Sequence, residues 1–241
     1  MMLKTRAIVL HKTKYGDSKL IVDMLTREQG RVAFIISIPA SGRGRMRKQM
    51  FQPLTLLNIE YDDRSTRQLQ QLSNAAIAVP FSSIPFDVYK MSTAMFVAEF
   101  LVYATRNEQA NPTLYDYVEN SICWLDACVR TAANFHLVLM MRMSLFLGLF
   151  PNLDDAGSGA YFDLRSGCFT PQAPMHPDFM PPDDAAKMRL LMRMTYDNMH
   201  LFAMSRDDRN RCVDIILRFY RLHIPDFPEM RSLEVVKTLF K

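Results

Sequence analysis

The chain has 241 residues, 49% apolar and 22% charged, the balance of a globular protein with enough apolar surface for one large core or two modest ones. The formal charge of +4 is unevenly spread: residues 1–80 hold 13 Lys and Arg against 6 Asp and Glu, and the remainder holds 16 against 19. The positive charge therefore belongs to the N-terminal third, and there is no low-complexity segment or internal repeat.

From Leu3 to Val79 the apolar pattern has period two or runs continuously, in LKTRAIVL, SKLIVDML, RVAFIISI, FQPLTLLNIEY and TRQLQQLSNAAIAV. Turn residues bound each piece, among them Tyr15-Gly16-Asp17, Glu28-Gln29-Gly30, Ser41-Gly42 and Asp62-Asp63. Five short strands in this span predict a small closed barrel of the OB type, with an SH3-like barrel as the alternative. At VPFSSIPFD, Pro80 and Pro85 interrupt regular structure and the period becomes helical, which sets a domain boundary: 1–80 barrel, 81–241 helical domain. In the first helix Val88, Met91, Met95, Ala98 and Val102 form one stripe, and further apolar residues imply burial on two sides.

Asn111-Pro112 marks the next helix start, as N-cap and first helical residue. The apolar segment 135–150 carries His136 and Arg142 and is shorter than the roughly 20 residues of a membrane span, so it reads as a core helix. Residues 151–182, rich in proline and glycine, form an insertion with a hairpin turning at Arg165-Ser166-Gly167. Helices resume over 183–202 and 205–224, the latter with Ser205 and Asp208 as a capping box, and a last short helix closes the chain.

The chemistry concentrates in IPASGRGRMRKQ, residues 38–49, where a reversal between strands carries Arg43, Arg45, Arg47 and Lys48. With Lys12, Lys14, Lys19 and Arg31 on neighbouring strand ends, and Tyr15 and Phe34 if exposed, these are the ingredients of a single-strand binding groove. As a lone aromatic, Phe34 reads as core. Phosphate-cradling, zinc-peptidase and nucleophile-elbow motifs are absent. A metal-dependent nuclease using Asp62 and Asp63 is the enzymatic alternative, which a polar hairpin turn explains better. Cys123, Cys128, Cys168 and Cys212 form no C-x-x-C pair, and no signal-peptide pattern opens the chain, so a reducing cytoplasm is expected. Most of the 18 methionines sit at helical core spacing and read as packing rather than as an adaptable binding groove.

AIVLHKTKYGDSKLIVDMLTREQGRVAFI (7–35), FQPLTLLNIEY, FHLVLMMRMSLFLGLFPNL (135–153) and RSLEVVKTLF, in this order, resemble the RecO family of bacterial recombination mediators. The resemblance implies an α+β protein, an OB-fold followed by a helical domain. It implies a non-enzymatic role without cofactor: binding single- and double-stranded DNA and annealing complementary strands. It also implies docking to the acidic tail of single-stranded DNA-binding protein and partnership with RecR in loading RecA, in the cytoplasm at the nucleoid. The barrel cations carry over as the DNA surface. Arg130, His136 and Arg142 are placed at the tail site from their position. Many family members hold zinc through four cysteines after the Gly-x-x-Pro-x-Leu segment; here only Cys168 and His176 stand there, so a metal-free hairpin packed by Tyr161, Phe162 and Phe169 is expected. The competing non-enzymatic reading is an OB-fold RNA-binding or translation-associated factor, for which the loop and the charge split serve equally well.

Overall fold

The structure is a computed structural model that describes residues 2–38, 46–64, 67–106, 108–129, 132–153, 157 and 159–239. Strands β1 (Met2–Tyr15), β2 (Lys19–Thr26), β3 (Gly30–Ser37), β4 (Leu56–Asp62) and β5 (Leu69–Ile77) close a barrel in the order β1-β2-β3-β5-β4. β3 and β5 run parallel, the other pairs antiparallel, which is the OB topology. Closure depends on β1, which pairs with β4 through its first half and with β2 through its second, with a bulge between Val9 and His11 where the strand must bend. Inward side chains fill the interior, with Phe34 and Tyr61 meeting edge to face at 4.9 Å. FQPLT, at the head of the fourth expected strand, instead belongs to a 3-10 turn over Lys48–Phe51 and the bend after it; the ring of Phe51 is fully buried in the barrel.

Helices α1 (Val88–Ala104), α2 (Pro112–Ala127) and α3 (Phe135–Phe146) follow, then a small sheet of β6 (Tyr161–Asp163), β7 (Cys168–Thr170) and β8 (Phe179–Met180), and helices α4 (Pro182–Arg193), α5 (Arg206–His223) and α6 (Leu233–Leu239). The Asp87 side chain caps α1, accepting from the Tyr89 and Lys90 N–H groups, and Asn111 caps α2 by accepting from Leu114. The helix expected over 183–202 breaks after Arg193, where Thr195 and Asn198 exchange side-chain hydrogen bonds with each other's backbone N–H and close a turn.

Two compact units result. One holds the chain up to Cys128 together with Met230–Leu239; the other holds Val129–Glu229. The first unit thus adds α1, α2 and the returning α6 to the barrel, whereas periodicity along the chain groups every helix after residue 80 together. The turn Thr26-Arg27-Glu28-Gln29-Gly30 explains the difference. Thr26 Oγ1 closes it by accepting from the Gln29 N–H and donating to the Gly30 carbonyl. Arg27 then makes a two-pronged contact with Asp116 of α2 at 2.8 and 3.0 Å, and Arg6 meets Glu119 of the same helix at 2.5 Å. Gly30, at φ +67°, touches the connection before α2 so closely that a Cβ would lie 2.9 Å from the Gln109 carbonyl carbon.

Two carboxylates tie down the rest of this unit. Glu99 on α1 accepts from the Arg231 and Ser232 N–H groups at 2.8 Å each, holding the two residues that lead into α6. Burial pushes the Asp126 carboxyl up, but the N–H groups of Ile84, Ser82 and Ser83 outweigh it and bring it down to about 2. Beside it the buried ammonium of Lys90 donates to the Asp126 and Cys128 carbonyls at the end of α2 and to Ser83 Oγ. The proline-bounded segment after the barrel is therefore held against α2.

In the second unit α3 is buried on nearly every side, and Tyr220 of α5 donates to the Met140 carbonyl at 2.8 Å. The small sheet packs Phe162 against Phe169 at 5.0 Å and Tyr161 against Phe179 at 5.7 Å. An ionic net crosses it: Asp178 accepts from Arg218 and Arg165 at 2.7 Å each, and Asp163 accepts from the Arg165 N–H at 2.8 Å and lies 3.3 Å from His176. Among the described residues no group of three or more His, Cys, Asp or Glu has the geometry of a metal site.

The Gly30 contact is tested by comparing two left-handed glycines. Gly30→Ala is expected to lower unfolding stability by about 1–3 kcal/mol, because backbone strain and collision add. Gly16→Ala, at φ +66° with open space around a Cβ, should cost about 1 kcal/mol. Urea midpoints of the two variants check the order.

The ionic net gives a pH test. Asp178 sits below the usual carboxylate range through its bonds to Arg218 and Arg165. Asp163 is pushed up by burial but brought below that range by the Arg165 and Ser166 donors. Folded values below unfolded ones mean that this stabilisation is complete above about pH 4 and is lost as pH falls through the lowered values. Hydrogen exchange over residues 161–180 should accelerate selectively across that window, and Asp178→Asn should weaken the acid dependence.

Candidate nucleic-acid interface

The tip of the β1–β2 hairpin sets where the cations stand. Pairing of Lys14 with Leu20 and of Tyr15 with Lys19 brings Lys14 and Lys19 to one end of the barrel, on exposed backbone. The Ile38 N–H donates to the Ser18 carbonyl at 2.7 Å, so β3 leaves the barrel beside that tip. On the far side of residues 39–45, partly buried Met46 and fully buried Phe51 anchor the chain in the barrel, which leaves Arg47 and Lys48 exposed on its rim. Lys12 lies close enough to Lys48 to feel its charge. Burial first, and Lys48 second, hold the Lys12 ammonium below the usual lysine range, and it donates to Gln52 Oε1 at 3.0 Å.

Five of the expected DNA-contacting residues, Lys12, Lys14, Lys19, Arg47 and Lys48, therefore occupy the hairpin tip and rim. Lys14 lies 3.9 Å from Asp17, a loose and exposed pair. Among the described residues Lys12, Lys19, Arg47 and Lys48 form no ion pair. Arg43 and Arg45 lie outside the described residues, as do Arg130 and the acids Asp154 and Asp155.

Arg31 does not join the others. It pairs with Leu25, six residues along β2 from Lys19, a separation of roughly 20 Å at strand rise. There its guanidinium donates to the Val102 carbonyl of α1 at 2.6 Å and to Asp23 at 3.1 Å. It ties the barrel to a helix. Phe34 is fully buried, in the core, whereas Tyr15 is 55% exposed at the hairpin tip. In the second unit His136 is 1% exposed, and burial first, with Arg209 second, pushes its pKa down to about 3. A neutral buried imidazole does not meet an acidic tail, so of the expected tail-binding residues Arg142, partly exposed on α3, is the described one that reaches solvent. Asp62, half of the nuclease pair, is held by Arg64 at 2.9 Å.

Two features are not apparent from the sequence. Arg67 is exposed in the β4–β5 connection and, among the described residues, forms no ion pair; in OB-folds that connection flanks the ligand face. Of the expected stripe Val88, Met91, Met95, Ala98 and Val102, the N-terminal three are exposed at 58, 42 and 54%, whereas Ala98 is buried and Val102 half-buried. α1 buries instead the face of Phe96, Val97, Phe100 and Leu101.

With this geometry in view, comparison with known proteins gives two matches of family models: "Recombination protein O N terminal" over residues 1–81 and "Recombination protein O C terminal" over residues 85–233. The chain belongs to the RecO family. A DNA repair protein RecO of Phocaeicola vulgatus is 48% identical over 240 residues, and one of Bacteroides fragilis 47% over 241, each covering 100% of both chains. One of Porphyromonas gingivalis is 36% identical over 246 residues, again covering 100% of both. Membership in RecO gives the chain a role in DNA repair and recombination. Among its described residues no helix is long and apolar enough to cross a membrane.

The two classes of barrel cation are expected to separate on substitution. Arg31→Ala removes a bond to an α1 carbonyl and leaves Asp23 without its partner, and should lower the melting temperature by several degrees. Lys48→Ala on the exposed rim should leave stability within about 0.5 kcal/mol of the parent. Thermal unfolding monitored by circular dichroism compares them.

Proposed function

We propose that the protein is a non-enzymatic recombination mediator that binds single- and double-stranded DNA on the hairpin-tip end of its barrel and anneals complementary strands. The observation that carries this reading is the division of charge: cations facing the helices are spent on internal acids and carbonyls, whereas Lys19, Arg47 and Lys48 stand exposed and half-buried Lys12 lies near Lys48, none of the four in an ion pair among the described residues. Two strands repel one another through their phosphates. A surface that neutralises both lowers the barrier to their meeting, and base pairing then supplies the driving force. No bond is made or broken, so the protein needs no nucleophile or general acid. Family membership favours DNA over RNA as the working substrate.

The wider role proposed is to help load RecA, with RecR as partner, on strands coated by single-stranded DNA-binding protein, in the cytoplasm at the nucleoid. Docking of that protein's acidic tail is assigned to the second unit, with Arg142 as the described candidate and Arg130, outside the described residues, as the other. Recruitment of this kind raises the effective concentration of the barrel near coated strands without sequence readout.

Reversing Lys12, Arg47 and Lys48 to Glu should slow annealing of complementary oligonucleotides and reduce the salt slope of single-strand binding by about 0.7 for each phosphate no longer neutralised. Annealing at the parent rate by a folded triple variant would refute the assignment. Arg142→Glu should weaken tail binding while leaving naked-DNA binding intact; equal losses of both would remove the division of labour.

A further inference from the structure

Val88, Met91 and Met95 lie at i, i+3 and i+7 on α1, and their exposed face looks onto space rather than core. Met91 and Met95, with Ile77 at the end of β5 and with Val79 and Phe81 after it, wall a groove of about 940 Å³. His11, Lys12, Gln49 and Gln52 supply polar groups to the same lining. An apolar patch of this kind, left in water inside an otherwise well-packed unit, marks a place where something binds.

We propose that this groove seats the unpaired bases of a strand whose phosphates lie on the adjoining cationic rim. The inference rests on the reading of that rim as the DNA surface and adds a base-binding site to it. Continuity is the first argument. Lys12 lines the groove and lies close enough to Lys48 to feel its charge, so a phosphate drawn to these two ammonium groups would carry its base near the groove. Chemistry is the second. A nucleobase is a flat apolar face with polar edges, and the groove combines apolar side chains with imidazole and amide groups, which donate and accept without demanding one base. The methionines can shift to fit purine or pyrimidine. Size is the third: the volume is at the upper end of pockets that hold drug-sized ligands, roughly 300–1,000 Å³, and so accommodates more than one base. Lys12 in the lining, with Lys48 near it, offers a charge that a strand's phosphate meets and a neutral apolar peptide does not. Bases in a duplex are stacked and paired and do not reach the groove, so the site confers a preference for single strands that phosphate contacts alone do not give.

The test uses the full chain and two strands of equal length and charge, one of thymidine nucleotides and one abasic, with affinities read by fluorescence anisotropy over a salt series. The thymidine strand should bind about tenfold or more tighter, as expected for one or more seated bases. The double variant M91Q/M95Q, on exposed positions and checked for an unchanged melting temperature, should lose most of that advantage. Its affinity for the abasic strand and its salt slope should stay at the parent values. Equal binding of the two strands by the parent protein, both salt-dependent, would overturn the groove proposal and leave the rim reading intact. Loss of salt-dependent binding to both strands would defeat the rim reading, and the groove with it. Equal weakening of both strands in the double variant would also overturn the proposal. So would self-association of the parent that the variant abolishes, with no difference between strands, which would assign the face to a second copy of the chain.

Discussion

The clamp between Arg27 and Asp116 is the contact on which the rest of the arrangement turns. It fixes the β2–β3 turn of the barrel against α2, with Gly30 in contact with the preceding loop and Arg31 reaching back to α1. A half-exposed ion pair is worth little alone. Here it acts with a fully used turn, a backbone contact that tolerates no side chain, and the Arg6–Glu119 pair beside it. Together they decide which end of the barrel faces protein and which faces solvent.

That decision sorts the charge. An N-terminal third with a net excess of cations could have spread them evenly, and an even spread attracts polyanions only weakly and without orientation. Instead the helix-facing cations are consumed by Asp116, Glu119, Asp23 and a main-chain carbonyl, and the far rim keeps its own. Buried Phe51 and half-buried Met46 hold the rim residues in place from below, so the exposed cations stand on a rigid base. Arg31, donating to the Val102 carbonyl, ties α1 to the barrel, and the unburied methionine face of that helix lines the groove together with Lys12.

Much of this is legible from residue order. Alternating apolar residues mark the five barrel strands, and Asn111-Pro112 and Ser205 mark helix starts at which each side chain accepts the expected capping bond, although Asp208 accepts from the Ser205 hydroxyl rather than completing the expected capping box. Charge position is less legible. Sequence puts Arg31 on a strand end near the basic loop together with Lys19, but only the register of β2 with β3 reveals that it stands at the opposite end of the strand from Lys19. Thr26-Arg27-Glu28-Gln29-Gly30 serves as a family signature without disclosing its work, because its partners Asp116 and Gln109 lie some 80 to 90 residues away. His136 shows another limit: a histidine in an apolar helix reads as either ligand or core, and only full burial decides. The Val88, Met91 and Met95 stripe is visible in the sequence, but periodicity states that a face is apolar, not that anything covers it.

The claim that the barrel presents one cationic end to DNA is tested most directly by mapping lysine reactivity with and without a single-stranded oligonucleotide, using an amine-modifying reagent and mass spectrometry. Protection is expected at Lys12, Lys14, Lys19 and Lys48, with Lys4, paired to Glu60 on another part of the barrel, reacting equally in both states. Protection of Lys4 with no change at the hairpin tip and rim would contradict it.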